Sequence, residues 1–576
     1  MRRVLLCTGF VLALAASLLA DSNLRITDVG LHGYSGAPSS VRLIVLNPSP
    51  EAQTIHLQVA ATDQNNSVTN TVTADVSLNG GEQRGLELPL LMPGGNDVIT
   101  ADAKAAGVVF GHDKQDAPLR QANLIVLMCA SDSMCKTVQS QIQFSGTIEE
   151  RADKNRQAKF EIVNDPRDHW WAYSACRAIV LARPTAGFTQ AQRDALEGFL
   201  RRGGRLVLLE DEIADPGFLS AYRHGPAPPN GEAVGKGRLL RVSGLSANDL
   251  GTAFVGQNLR GVLDQTYAWN SNQVGWLSRR FATAFDFPRL SWLLIWLTVY
   301  IVMIGLLNFA VLRRLRRLEL GWISMCVLAL LFAGGFYFSS ASRRPKNFRL
   351  DNLATYYLDS RSPLAVADYN LRVSAPDRRD VLVSIADPAV FTSSNFAEDE
   401  TNSQIWTEMN RQATQQRRAY DIHLGPPSQV ELPMLKWSFD DLNLQGMREF
   451  SGTLHFVAPN RLRNDTGQRF ADAVYVDYPG NALYVLPVLG PGEEIQLDTI
   501  KPKRIRAEDG RQPVFLPSYD PSKQTLQEAV LSASLPLVGW GRVFAGLSDG
   551  PALPVELSVT PQTSVHSLII VALEQP

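Results

Sequence analysis

Two long uncharged segments in the middle of the chain constrain its fold more than any other feature. The chain runs without a charge from Leu290 to Leu312, and again from Leu320 to Phe338. About 20 apolar residues with a rise of 1.5 Å each cross the hydrocarbon core of a membrane as a helix. The sequence therefore predicts a transmembrane hairpin, with helices at 290–312 and 320–342 joined by the short loop 313–319. The bilayer is then a partner of this chain.

The first of these segments contains an asparagine near its end. Asn308 lies among apolar residues, six positions before Arg314. Polar side chains inside a membrane tend to hydrogen-bond to a neighbouring helix. We predict a structural bond from Asn308 across the hairpin.

The first 20 residues carry a second membrane signal. Arg2 and Arg3 precede an apolar run from Val4 to Ala20, which is followed by polar residues. This order is typical of a secretory signal peptide, and an uncleaved segment would act as a signal anchor. Both alternatives place Asp21 outside the cytoplasm, because the positively charged end stays inside.

The orientation of the hairpin follows from counting crossings. The loop 313–319 contains four arginines, which favours the cytoplasmic side. Residues 21–289 and 343–576 are then predicted to share the extracytoplasmic side. The alternative, with both bodies in the cytoplasm, requires that the N-terminal segment is not exported.

Length and charge narrow the classes of function. A chain of 576 residues predicts three or four structural units. The net charge of -2 gives no basic field, so we expect no nucleic-acid partner. No phosphate-binding loop of the Gly-x-x-x-x-Gly-Lys type occurs, which argues against energy-driven transport by this chain alone.

The region before the hairpin divides into two predicted domains. Short alternating apolar runs separated by turn residues predict an immunoglobulin-like β-sandwich in 21–118. In 119–250, buried strands alternate with a helix that Thr189 opens and Gly203-Gly204 ends, which predicts an α/β domain. Residues 251–289 form a connector.

The region after the hairpin is predicted to be all-β. Eight short β-type runs between turn residues fit one or two sandwiches in 343–576. The segment from Phe396 to Arg418 is rich in Gln, Asn and Arg, and we expect a helix or a mobile insertion there. The fold class is therefore multidomain.

Cys129 is the strongest candidate nucleophile. It follows a predicted parallel strand, and sites of α/β domains form at the carboxyl ends of such strands. His169 and His224 are the bases available in the domain, although neither lies in a recognisable motif. The alternative roles of Cys129 are a buried thiol or a disulfide with Cys135, which an oxidising compartment would permit.

Other polar clusters offer weaker chemistry. Glu210, Asp211 and Glu212 are adjacent in sequence and project in different directions, so we expect a solvated loop. The eight histidines show no zinc-binding spacing, and we predict no metal and no cofactor. Trp170 and Trp171 could bind a sugar, or they could pack at the entry of a strand, which we favour.

A family resemblance supports the α/β domain. Its residues are Trp171-Ala-Tyr173, Ala178 to Ala182, Phe188-Thr-Gln-Ala-Gln192, Ala195-Leu196, Gly203-Gly-Arg-Leu-Val207 and Gly235-Lys-Gly-Arg-Leu239. This pattern resembles class I glutamine amidotransferase-like domains of bacterial membrane proteins. Active members carry a nucleophile on a sharp Gly-flanked turn, and no Gly-x-Cys-x-Gly or Gly-x-Ser-x-Gly occurs within 119–250.

The whole arrangement resembles a group of uncharacterised bacterial integral membrane proteins. The residues are Asn308-Phe-Ala-Val-Leu312 to Trp322, Asn464-Asp-Thr-Gly467, Asp472-Ala473 and Gly490-Pro-Gly-Glu493. The resemblance implies location in the bacterial inner membrane. It also implies a membrane-protein partner, because such proteins are often encoded near MoxR-type ATPases or ABC transporters.

Two hypotheses of function follow. The leading one is a non-catalytic envelope protein whose extracytoplasmic domains bind protein partners, as an accessory to an ATPase or transporter system. The competing one is an extracytoplasmic hydrolase or amidase that uses the α/β domain.

Overall fold

Strands from both sides of the apolar hairpin share one eight-stranded sheet of the protein. The computed structural model describes residues 23–29, 38–62, 68–91, 98–116, 124–144, 159–174, 176–212, 217–223, 231–243, 277, 281, 290–342, 346–386, 390–392, 420–436, 438–505, 525–526 and 541–574. The predicted signal segment, most of the connector 251–289 and the segment from Phe396 to Arg418 lie outside the described residues.

Thirteen described strands precede the hairpin and sixteen follow it. The first group is β1 (Leu24–Val29), β2 (Pro38–Leu46), β3 (Gln53–Thr62), β4 (Val68–Leu78), β5 (Gln83–Leu91), β6 (Val98–Ala105), β7 (Val108–Asp116), β8 (Leu124–Cys129), β9 (Lys159–Ile162), β10 (Cys176–Ala182), β11 (Arg205–Leu209), β12 (Glu232–Val234) and β13 (Gly237–Val242). The second group is β14 (Arg349–Asp359), β15 (Ser362–Ala375), β16 (Arg379–Ile385), β17 (Val390–Thr392), β18 (Tyr420–Leu424), β19 (Ser428–Met434), β20 (Ser438–Glu449), β21 (Leu454–Ala458), β22 (Arg461–Asn464), β23 (Asp472–Asp477), β24 (Ala482–Leu486), β25 (Glu494–Gln496), β26 (Lys503–Arg504), β27 (Arg542–Ser548), β28 (Val555–Leu557) and β29 (Gln562–Leu573).

The described helices are few. They are α1 (Asp132–Phe144), α2 (Gln190–Arg201), α3 (Leu290–Val302), α4 (Asn308–Arg314) and α5 (Gly321–Ser342), with a π turn at Met303–Leu307 between α3 and α4. Short 3-10 turns lie at Trp170–Tyr173, Glu210–Glu212, Ser220–Tyr222, Leu318–Leu320 and Leu497–Thr499.

The strands of the predicted N-terminal sandwich have one apolar face. In β3, the side chains of Ile55, Leu57, Val59 and Ala61 are fully buried, while the residues between them are partly exposed. This alternation is what a strand needs when one face packs on a core and the other meets water.

The partner of this sheet comes from the far side of the hairpin. An eight-stranded sheet has the order β28-β16-β19-β18-β4-β3-β6-β7. Strand β4 pairs in parallel with β18, in a register from Asn70 opposite Tyr420 to Ala74 opposite Leu424. Beside this register, the Thr73 hydroxyl and His423 Nδ1 lie 3.1 Å apart. The pairing joins segments about 350 residues apart in sequence.

One hydrophobic core accompanies this shared sheet. It contains Leu57 and Val72 from before the hairpin, and Tyr356, Val430 and Phe544 from after it. Residues 21–118 therefore do not fold as a separate sandwich, and 343–576 is not an independent body. We use the name "shared β body" for strands β1–β7 and β14–β29 together.

A nine-stranded sheet forms the other large layer of the shared β body. Its order is β17-β20-β15-β14-β29-β27-β23-β24-β26. Strand β14 lies inside it, antiparallel to β15 and parallel to β29. One face contributes Tyr356 to the shared core, while Leu353 and Tyr357 on the other face belong to a second apolar cluster.

Residues 124–243 form a smaller, mostly parallel sheet with a helix on each face. The strand order is β12-β13-β11-β10-β8-β9, and only β12 runs antiparallel to its neighbour. Helix α1 packs Val138 and Ile142 on one face, and α2 packs Leu196 and Phe199 on the other. We call residues 124–243 the α/β domain.

Helix α2 begins and ends where the sequence predicts. The Thr189 hydroxyl accepts a hydrogen bond of 3.2 Å from the Gln192 N–H, and the Gln192 carboxamide accepts one of 3.2 Å from the Thr189 N–H. This capping box satisfies donors at the first turn. Gly203 follows the helix with a φ of 115°, a conformation that favours glycine.

The hairpin consists of two helices long and apolar enough to cross a membrane, at Leu294–Arg314 and Leu318–Phe338. The Phe332 ring on the second helix contacts the rings of Trp296 and Tyr300 on the first, at 5.4 and 5.3 Å between centroids. The outer faces of both helices expose large apolar side chains, such as Leu306 and Leu330.

The shared β body contains a hydrogen-bonded asparagine turn near its N-terminal end. The Asn47 amide donates to the carbonyls of Glu51 and Asn79, both at 2.9 Å. Its side-chain oxygen accepts from the Ser49 N–H at 3.0 Å, and its backbone carbonyl accepts from the Gly81 N–H at 3.1 Å. Asn47 thus connects the end of β2 to the turn before β5.

The motifs Asn464-Asp-Thr-Gly467 and Gly490-Pro-Gly-Glu493 build the same arrangement in the C-terminal half. The Asn464 amide donates to the Gln468 carbonyl at 2.7 Å and to the Gly490 carbonyl at 2.9 Å. Its side-chain oxygen accepts from the Thr466 N–H at 3.2 Å, and its backbone carbonyl accepts from the Gly492 N–H at 2.6 Å. The local partners have the same sequence offsets as those of Asn47, four and two residues, while the distant partners follow at 26 and 28 residues instead of 32 and 34.

These two turns are structural equivalents. Both asparagines are fully buried. Gly81 and Gly492 have φ values of 71° and 73°, which favour glycine. Each turn joins two antiparallel strands, β2 with β5 and β22 with β25. The shared β body therefore contains an internal repeat of one sandwich corner.

Replacing either buried asparagine should destabilise the protein to a similar extent. We expect Asn47→Ala and Asn464→Ala each to lower the free energy of unfolding by roughly 3 kcal/mol, because each leaves buried backbone groups without partners. Urea titration of the purified chain followed by tryptophan fluorescence measures the effect. The control Asn460→Ala, at an exposed turn position, should change stability by less than about 0.5 kcal/mol. An equally small effect at Asn464 would contradict its structural role.

Candidate functional site

The carboxyl edge of the parallel sheet is the first place to look for a site in the α/β domain. Ligands of open α/β sheets bind where the chain crosses from one side of a strand to the other. Here β8 leads to β9 on one side, and the chain then returns to β10 on the other side. The crevice lies between the ends of β8 and β10, at Cys129 and Ala182.

Cys129 lies at this crevice as half of a disulfide. It is bonded to Cys135, with 5.5 Å between the two Cα atoms, and both residues are buried. The bond fastens the end of β8 to the first turn of α1. A nucleophilic cysteine acts as a free thiolate. In this state, Cys129 cannot act as the nucleophile that the sequence suggests.

The neighbouring polar groups stabilise the local structure. The Ser131 hydroxyl accepts a hydrogen bond of 3.3 Å from the Met134 N–H and so caps α1. The Ala130 N–H donates to the Ala182 carbonyl at 3.0 Å, which extends the pairing of β8 with β10. These groups close the edge of the sheet between the two strands.

The structure does not bring a base to Cys129 within the residues that it describes. His169 is exposed, and its ring stacks on Trp171 at 5.0 Å between centroids. No hydrogen bond joins the His169 ring to Cys129 in the described part of the chain. His224 lies outside the described residues.

Trp170 and Trp171 pack between the α/β domain and the shared β body. Trp171 is buried and belongs to a small apolar cluster with Val390 of β17. Trp170 is half-buried, and the Arg202 guanidinium lies 4.2 Å from its ring centroid. This placement agrees with a packing role at the domain contact, and a sugar would have to compete with Arg202 for the Trp170 ring.

The three acidic residues after β11 form a short 3-10 turn. The Glu210 carboxylate lies 3.5 Å from the Arg241 guanidinium. Among the described residues, no group of three His, Cys, Asp or Glu side chains has a geometry that could hold a metal ion.

A cluster of three buried charges lies elsewhere, at the contact of the α/β domain with β15. The Asp368 carboxylate accepts from Arg202 at 2.9 Å and from Lys236 at 2.7 Å. All three side chains are buried. The Lys236 ammonium also lies 3.6 Å from the centroid of the Tyr357 ring, a cation–π contact.

Burial and pairing shift the pKa values of this cluster in a consistent way. Burial lowers the pKa of Lys236 to about 8, although the attraction of Asp368 opposes the shift. Burial disfavours the charged form of Asp368, but the attraction of Lys236 and Arg202 outweighs it and lowers the pKa of the carboxyl. At neutral pH, the three groups are therefore charged and mutually compensated.

A second ion pair reinforces the same contact. The Asp359 carboxylate at the end of β14 accepts from Arg201 at 3.1 Å and from the Tyr222 hydroxyl at 2.9 Å. It also accepts from the Gly235 N–H at 3.3 Å. Asp359 and Arg201 are both almost fully buried. The consecutive arginines at the end of α2 thus reach two different acids of the shared β body.

The Gly235-Lys-Gly237 turn is built for close approach. A methyl group at Gly235 would lie 2.6 Å from the Arg201 carbonyl oxygen, and one at Gly237 would lie 1.9 Å from the Leu200 carbonyl oxygen. Only glycine permits this packing of the β12–β13 turn on α2. The turn places Lys236 beside Asp368.

A third ionic contact joins the α/β domain to β1, β2 and β5. The Arg167 guanidinium pairs with Asp28, and lies 3.5 Å from Glu87. Arg42 pairs with Asp165 at 2.5 Å. These contacts join the opposite end of the α/β domain to N-terminal strands, so the domain is attached through both halves of the shared β body.

Sequence reasoning missed this charged interface. The signal available was the presence of Arg201-Arg202 and Lys236 in segments that otherwise read as core. Their acidic partners lie 132 to 166 positions away in sequence, so pattern alone could not pair them.

Removing one charge from the buried cluster should be strongly destabilising. We expect Asp368→Asn to lower the free energy of unfolding by about 3–5 kcal/mol, because it leaves Arg202 and Lys236 buried without a counter-charge. Urea titration of the full chain measures the loss. Asp549→Asn is the control, since the Asp549 carboxylate is 92% exposed, and it should have little effect. A similar small change at Asp368 would show that the cluster is not energetically important.

The pH dependence of stability in wild type and Asp368→Asn gives a second test. Because the native pKa of Asp368 is lowered, its contribution is complete above the unfolded value of about 3.9 and is lost as pH falls through the native value. The stability difference between wild type and Asp368→Asn should therefore shrink below about pH 4. A difference that stays constant from pH 6 to pH 3 would contradict the assignment.

Comparison with known proteins identifies no family for this chain. No protein-family profile matches the chain, and no curated protein sequence matches it significantly. The chain has a weak likeness to a β-glucuronidase of Bacteroides uniformis, with 11% identity over 32% of this chain and 27% of that chain, at a TM-score of 0.15. It thus spans about a quarter of that enzyme's length.

Two further solved structures are similar to the same weak degree. A sporulation control protein of Bacillus subtilis shares 12% identity over 21% of this chain and 53% of its own, at a TM-score of 0.13. A putative β-galactosidase of Bacteroides fragilis shares 9% identity over 35% of this chain and 41% of its own, at a TM-score of 0.17. Likeness at this level supports no conclusion about activity.

Proposed function

We propose that this chain is a non-catalytic protein of the bacterial inner membrane that presents its shared β body and α/β domain to protein partners on the extracytoplasmic side. The observation that carries the proposal is the pairing of β4 with β18. Strands before and after the hairpin belong to one sheet and one core, so they occupy the same side of any membrane that the hairpin crosses.

The signal-like first 20 residues support the extracytoplasmic side for this body. The arginines of the loop 313–319 support the cytoplasmic side for the loop. The disulfide between Cys129 and Cys135 agrees with an oxidising compartment. The hairpin is then an anchor inserted into one folded body.

The binding role is supported by how the α/β domain is held. Buried ion pairs fix it to both halves of the shared β body, which favours a rigid surface over a moving catalytic lid. At its carboxyl edge, Cys129 is oxidised and Ser131 caps a helix. Exposed sheet edges such as β7, with Val108 and Val109 on its surface, offer a place for strand pairing with a partner.

Single-cysteine labelling tests the orientation. We expect a membrane-impermeant maleimide to label Val108→Cys and Val457→Cys once the outer membrane is permeable, because both positions are exposed on the shared β body. Leu315→Cys in the loop should react only after the inner membrane is opened. A Cys326→Ser background removes the exposed native thiol. Labelling of Leu315→Cys before the inner membrane is opened, with Val108→Cys and Val457→Cys labelled only afterwards, would contradict the proposal and favour the cytoplasmic alternative.

Capture of a partner tests the function. We expect chemical crosslinking in native membranes, followed by purification of the tagged full chain, to recover an ATPase or transporter subunit reproducibly. The matched control carries the same residues 1–22 and 290–342 with an unrelated exported domain. Recovery of the same subunits with this control would mean that the outer domains do not select them. An intrinsic hydrolase activity of the purified chain would favour the competing hypothesis instead.

A further inference from the structure

Asn308 carries a polar amide in the first hairpin helix that has no hydrogen-bond partner in the described part of the chain. The predicted bond across the hairpin is therefore not seen there. Other polar side chains of the hairpin are satisfied within their own helix. The Thr298 hydroxyl donates to the Leu294 carbonyl at 2.8 Å, and the Ser324 hydroxyl donates to the Gly321 carbonyl at 2.9 Å.

The amide lies at the margin of the contact between the two helices. Trp296 and Tyr300 pack against Phe332 near one end of this contact. At the other end, a methyl group at Gly321 would lie 3.7 Å from Leu312 Cδ1. Asn308 is one turn from Leu312 and half-buried, so part of the residue is open to the surroundings of the hairpin.

The surface beside Asn308 permits close approach of another helix. Gly305 is one turn earlier, and a methyl group there would meet no described atom within 4 Å. Small residues let membrane helices approach closely, and polar side chains then bond between them. The π turn Met303–Leu307 ends at this point, and the Asn308 N–H bonds to the Met303 carbonyl five residues before. Such turns are frequent at functional sites.

We propose that Asn308 forms the contact through which two copies of this chain associate within the membrane. A carboxamide has one donor end and one acceptor end, so its partial charges complement those of a second carboxamide. About a two-fold axis, the two Asn308 amides make two reciprocal hydrogen bonds. An unpaired amide in hydrocarbon is costly, and this pairing removes the cost without a buried charge. Two hairpins then form a four-helix membrane bundle.

Energy transfer between donor-labelled and acceptor-labelled full chains in phosphatidylcholine vesicles tests the proposal. As protein is diluted into lipid, we expect Asn308→Leu to dimerise about eightfold more weakly than wild type, since each lost bond accounts for roughly a threefold change. Asn308→Gln keeps the amide and should restore dimerisation. Thr298→Val removes a hydroxyl that is already satisfied inside its helix, and should leave dimerisation unchanged.

Several outcomes would overturn the proposal. A wild-type chain that is monomeric at every dilution would do so, as would equal dimerisation of wild type and Asn308→Leu. If Asn308→Leu does not insert, Asn308→Ala replaces it in the same comparison. A different membrane protein that copurifies with wild type but not with Asn308→Leu, in the absence of self-association, would assign the amide to a partner helix. The cysteine-labelling experiment tests the proposed function independently of dimerisation. A negative result in the energy-transfer experiment would therefore overturn the dimer and leave the proposed function unaffected.

Discussion

The parallel pairing of β4 with β18 is the interaction on which the rest of the structure depends. It makes strands from before and after the hairpin neighbours in one eight-stranded sheet, and the core behind that sheet draws on both halves. Without this pairing, the N-terminal strands would expose the open edge of β4, and the C-terminal strands would expose that of β18. The hairpin is therefore an insertion in a folded body rather than a linker between two bodies.

The α/β domain adds a second level to this dependence. Arg201, Arg202 and Lys236 meet acids of β14 and β15, while Arg167 meets acids of β1 and β5. The desolvated charges are compensated only when strands from both sides of the hairpin are in place. The α/β domain is thus held in one orientation only when both halves of the shared β body are folded. A fixed orientation suits a protein that presents one surface to a partner.

Local features were predictable because their causes lie close together in sequence. The capping box of Thr189 and Gln192, the two apolar helices, and the alternating strands such as β3 all follow from periods of a few residues. The repeat of the asparagine corner was not predictable, because its two copies differ in spacing. Gly81 follows Asn47 by 34 positions, whereas Gly492 follows Asn464 by 28. The pairing of β4 with β18 and the Asp368 cluster were also beyond prediction, because a strand edge or a buried charge does not identify its distant partner. At the candidate edge, the sequence left the thiol and the disulfide of Cys129 open, and only the spatial approach of Cys135 distinguishes them.

The distance in sequence between β4 and β18 also means that β4 is synthesised long before its partner strand. About 350 residues must be made after Thr73 before its neighbour His423 exists. At roughly 5 to 20 residues per second, the edge of β4 waits about 20 to 70 s for its partner. An unpaired edge of this kind is a template for wrong strand pairing. The nascent chain consequently passes through a long aggregation-prone interval, and a holding chaperone during that interval would contribute more to yield than any acceleration of the final folding step.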